Sequence, residues 1–77
     1  MPTPPIHSIY RIRVEGFIPP TMSAWFGGMR IQPEENTTIL TGTMRDQAAL
    51  YSILNHLAGL NLVLVSVERL AELSKEA

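Results

Sequence analysis

Few side chains in this sequence have the types and spacing to do chemistry. Ser52 and His56 lie four residues apart in a stretch of helical periodicity, one turn from each other. A hydroxyl beside an imidazole could serve as nucleophile and general base. No orienting acid stands at a matching spacing, and no nucleophile-elbow motif is present. The pair therefore fits a solvated helix face better than a catalytic dyad. Arg11 and Arg13 are two apart, on one face of any strand that holds them. Guanidinium groups bind phosphate or carboxylate in bidentate fashion, which makes these two candidate anion contacts. Glu15 falls on the same face, so the alternative is a self-neutralising surface. Met22, Trp25 and Phe26 have i, i+3, i+4 spacing and could line a small-molecule pocket, or simply fill a small core.

The remaining candidates have structural readings. Asp46 suits a helix cap better than a catalytic acid. Gly27-Gly28 reads as a helix stop, and neither a P-loop nor a GxGxxG fingerprint is present. Tyr10 and Tyr51 could stack on bases, but the aromatic-basic pattern of an RNA-recognition domain is missing. With no cysteine and two histidines, His7 and His56, the chain has no thiol chemistry and no ligand set for structural zinc. No metal and no cofactor are expected.

Composition bounds the partners. Six Lys and Arg against seven Asp and Glu give a net charge of -1; the charges are dispersed and the net comes from the C-terminal tail, with no global field to steer nucleic acid. A hydrophobic share of 45% at so small a net charge argues against a wholly disordered chain. The longest strongly apolar stretch, 57–67, falls short of the ~20 residues that span a bilayer. The first eight residues lack the basic and apolar regions of a secretory signal. These features predict a soluble, cytoplasmic protein without membrane or nucleic-acid partners. The 77 residues allow a single domain.

The elements that must position these side chains follow from periodicity and punctuation. Residues 1–8, with Pro2, Pro4 and Pro5, read as an extended, flexible arm. Residues 9–18 alternate as a strand, stopped by Pro19 and Pro20. A short helix is expected over 21–26, then a strand over 29–32 and a returning strand over 37–43. A four-residue turn, Pro33 to Asn36, joins those strands, with Asn36 at positive φ. Leu50, Ile53, Leu54 and Leu57 mark one face of the principal helix, opened by Asp46 or Thr43 and closed by Gly59. The last strand, 60–67, is apolar on both faces. Residues 68–77 read either as a short helix or as a charged tail. The folded domain is thus 9–67.

This order predicts an α+β fold of ferredoxin-like β-α(short)-β-β-α-β type, an antiparallel four-stranded sheet with one principal helix on one face. Gly42-Thr43, the run Asp46-Gln47-Ala48-Ala49-Leu50-Tyr51, Leu54-Asn55 and the strand from Leu60 through Val67 together resemble a family of short bacterial proteins without an assigned function. The resemblance implies a bacterial source and a compact α+β fold, and brings no catalytic residues with it.

One helix cannot cover both faces of such a sheet. Phe17 from the first strand and Val63, Val65 and Val67 from the last are the expected interface, with Leu62 and Leu64 as the alternative set. Burying one Val or Leu fully is worth about 1.5–3 kcal/mol, large against a net stability of about 5 kcal/mol. The chain is therefore expected to form a homo-oligomer, a dimer favoured, joined by sheet faces or sheet edges. The function this favours is a small non-enzymatic protein acting through assembly or a protein partner. The alternatives are a small-molecule sensor with a pocket near Trp25 and Phe26, and a small dimeric enzyme.

Overall fold

The structure, a computed structural model, describes residues 7–73. The expected arm, residues 1–8, lies outside the described residues except for His7 and Ser8, which open the first strand. The elements are β1 (His7–Glu15), a 3-10 helix (Pro20–Phe26), β2 (Arg30–Glu34), β3 (Thr37–Met44), α1 (Gln47–Gly59) and β4 (Val63–Leu73).

The four strands form one sheet in the order β2-β3-β1-β4, and every neighbouring pair is antiparallel. β1 and β2 are consequently parallel across β3, and β3 and β4 are parallel across β1. This is the split βαβ arrangement of a ferredoxin-like α+β fold, with its first helix reduced to a 3-10 segment. That segment packs against β2, and α1 packs over β3. The core lies between them and the sheet: Ile12 and Val14 from β1, Ile31 from β2, Leu40 and Met44 from β3, and Leu50, Ile53 and Leu57 from α1. Ile18, Phe26 and Met29 close it on the β2 side.

β1 ends at Glu15, three residues earlier than the alternation suggests. Gly16 breaks it with φ 107°, a value that L side chains avoid, and a Cβ there would stand 2.8 Å from the Leu62 side chain. The backbone bonds lost to the sheet are supplied by Thr38. Its hydroxyl donates to the Gly16 carbonyl at 2.7 Å and accepts from the Ile18 N–H at 3.1 Å. Thr38 is fully buried, and no buried side-chain polar atom among the described residues lacks a partner.

The β2–β3 turn is tighter than expected. Glu34 pairs with Thr37, which leaves a two-residue turn, and the positive φ falls on Glu35 rather than Asn36. Pro33 joins β2 because an edge strand tolerates a missing donor. Asp46, not Thr43, caps α1: its carboxylate accepts from the Ala49 N–H at 2.8 Å. Asp46→Ala should lower stability by about 1 kcal/mol, seen as a lower denaturant midpoint at unchanged slope. At the other end Gly59 remains helical, and Asn61 takes the left-handed position with φ 63°. The Asn61 N–H bonds to the Ala58 carbonyl and the Leu62 N–H to that of Leu57, the paired bonds of a Schellman cap.

The largest difference is at the C-terminal end. β4 begins at Val63 rather than residue 60, and it continues through Leu73 where a short helix or charged tail was expected. The cause is tertiary. The first half of β1, from His7 to Tyr10, offers free backbone groups, and Arg69 to Leu73 pair with it. Residues 74–77 lie outside the described set.

Candidate functional site

β4 is an edge strand, and none of its described side chains enters the core. Every described side chain of β4, Val63 to Ala71, is exposed. Val63, Leu64, Val65, Val67 and Leu70 are each between 38% and 58% exposed. Register assigns their directions, because directly opposed residues share a face. Val63, Ser66, Glu68 and Ala71 oppose Glu15, Arg13, Arg11 and Ile9 on the face away from α1. Leu64, Val67 and Arg69 oppose Val14, Ile12 and Tyr10 on the helix side. Two register shifts leave Val65 and Leu70 as the extra residues of β-bulges. The expected interface set is thereby divided: Val63 on the open face, Val67 on the helix side, Val65 at a bulge. Phe17, also exposed, follows the end of β1 that pairs with Val63.

The open face differs from the aliphatic surface that sequence reasoning anticipated. Arg11 Nη2 lies 2.8 Å from Glu68 Oε1, and Arg13 Nη1 lies 3.2 Å from Glu34 Oε1. Both candidate anion contacts thus have carboxylate partners from β4 and β2, rather than Glu15. These pairs are partly exposed and add little stability, but they make the face polar. The aliphatic side chains that the sheet leaves uncovered are those of the edge strand, on both of its sides.

A second feature lies at the opposite edge of the sheet, between the 3-10 helix and α1. It is a solvent-open cleft of about 400 Å³. Phe26, Met29, Met44 and Ile53, all buried in the core, line its base. Trp25, 65% exposed, forms a wall. Thr43, Arg45, Ser52 and His56 supply polar groups. The set Met22, Trp25 and Phe26, expected to line one pocket, is therefore divided. Met22 packs against the core away from the cleft lining, Phe26 belongs to the core, and Trp25 alone presents its ring. His56 and Ser52 both line the cleft, but His56 Nδ1 lies 3.1 Å from the Trp25 carbonyl, while its ring meets Phe26 edge-on at 6.1 Å. The imidazole is thus a brace between α1 and the 3-10 helix. Arg45 escaped sequence reasoning because nothing in its neighbourhood along the chain ties it to Trp25.

Among the described residues, no three His, Cys, Asp or Glu side chains gather as a metal site. No helix among them is long and apolar enough to cross a membrane. Comparison with known proteins gives a family model, described as a domain of unknown function (DUF8691), that matches residues 9–68. No curated protein matches, and no solved structure matches.

Proposed function

Since the chain belongs to the DUF8691 family, which its match over residues 9–68 establishes without assigning an activity, we propose a function from the geometry. The protein is a small non-enzymatic assembly unit that pairs with a second copy of itself through β4. The observation that carries this reading is an 11-residue edge strand whose described side chains are all exposed, five of them Val or Leu. Long apolar edges invite pairing with another strand.

Magnitudes favour a modest affinity. Covering the exposed half of a Val or Leu gains about 1 kcal/mol, so ten such side chains in two copies gain about 10 kcal/mol. Association costs about 4 kcal/mol or more in lost freedom, and backbone bonds along the new seam return part of it. The balance corresponds to a dissociation constant of about 1–100 µM. Face-to-face packing of two sheets would instead desolvate the Arg11–Glu68 and Arg13–Glu34 pairs, which disfavours it. We propose a bacterial cytoplasm as the setting, on the resemblance to short bacterial proteins and the absence of cysteine.

Light scattering behind a sizing column, over about 1–500 µM chain, tests the reading across that affinity range. The mass should rise from one chain to two. A single-chain mass throughout would overturn it.

A further inference from the structure

We propose that the cleft between the 3-10 helix and α1 binds a small monocarboxylate carrying an apolar ring. The site is separate from the association edge: the cleft lies on the β2 side of the sheet, and β4 is the far edge, so pairing through β4 leaves it open.

The ring follows from the surfaces. The base is apolar, formed by core side chains of Phe26, Met29, Met44 and Ile53. Beside it stands the indole of Trp25, which the core does not use. A flat apolar group can stack on that indole and cover the base at once. At about 400 Å³ the space is at the small end of ligand pockets, enough for a ring with a short side arm.

The single negative charge follows from the lining. Arg45 is the one lining side chain with a permanent charge, and among the described residues it has no carboxylate at ion-pair distance. Its neighbour Asp46 is an anion, but one carboxylate oxygen accepts from the Ala49 N–H at 2.8 Å as the helix cap. The Thr43 and Ser52 hydroxyls are further donors for a carboxylate. A phosphate would bring nearly two charges to one guanidinium, a poorer match. A carboxylate takes a fork of two N–H groups from one arginine.

The chain has a single tryptophan, so its indole N–H is an unambiguous reporter in a ¹H–¹⁵N spectrum of the full chain. The probes are phenylacetate, neutral phenylacetamide and cationic phenethylamine. Phenylacetate should shift the Trp25 indole and the Thr43 and Ser52 amides saturably, half-saturating at about 0.1–1 mM for a ligand of this size. It should bind about tenfold more tightly than the amide, with the amine weakest. Arg45→Gln should reduce phenylacetate to the affinity of the amide, while the amide's own binding stays unchanged and so reports an intact cleft. No saturable Trp25 shift to about 10 mM, or equal acid and amide binding in the unaltered protein, would overturn the proposal. So would an acid preference that survives Arg45→Gln. Shifts confined to β4 would overturn the location. None of these outcomes depends on the mass of the protein in solution.

Discussion

Val65→Lys should leave the chain single at concentrations about a hundredfold above those at which the proposed β4 seam pairs the unaltered protein. Val65 is the extra residue of a bulge on the outermost strand and is about half exposed, so the fold itself does not depend on it. In a symmetric seam both copies carry the substitution, and both ammonium groups meet the same apolar surface. Desolvating them, with like charges brought together, costs about 3 kcal/mol or more, which is the hundredfold change. Edge lysines are a recurrent natural protection against strand pairing. Light scattering over a concentration series reads the mass, and the unfolding free energy from a denaturant titration of the dilute, unpaired chain should change by less than about 0.5 kcal/mol. A variant that still doubles its mass with the unaltered concentration dependence would show that β4 is not the seam.

Thr38→Val should destabilise the fold by about 2–3 kcal/mol despite keeping the side-chain shape. Among the described residues, this hydroxyl is the one side-chain link between β3 and the segment that leaves β1, bonding both the Gly16 carbonyl and the buried Ile18 N–H. Valine strands that N–H inside the protein, and a buried donor without a partner costs about 1–3 kcal/mol by itself. The carbonyl of Gly16 is nearer solvent and loses less. Thr38→Ser keeps both bonds and removes one methyl group, for about 1 kcal/mol. Urea unfolding of the two variants should therefore rank serine above valine. The reverse order would mean that the methyl, not the hydroxyl, is what the core needs.

The contrast between these two sites explains what could be read from the sequence. Period-two alternation placed Ile12 and Val14 on the covered face, and helical spacing found Leu50, Ile53 and Leu57. Asp46 was recognisable because a cap acts on amides three residues away. Departures arose wherever a distant partner decided. Glu68 to Glu72 have a composition that suits a helix, yet β1 holds them extended. The end of β1 depends on Thr38, 22 residues beyond Gly16. At the cleft, Trp25 was visible as a large aromatic, but His56 reaches its carbonyl across 31 positions. Arg45 enters the same space only because β3 and α1 meet beside the 3-10 helix.

The two borders of the sheet are chemically unequal. β2 has five residues, includes Pro33, and ends in Glu34, which is tied to Arg13. It offers a short, interrupted row of backbone groups, whereas β4 offers an eleven-residue row in which five exposed Val and Leu stand beside Ser66, Glu68 and Arg69. On the proposed pairing, and in the language of step-growth polymerisation, the chain is monofunctional. A monomer with one reactive end couples once and terminates, whatever its concentration. Two copies joined through β4 would expose only β2 at each outer border, so growth ends at the pair and no fibre follows.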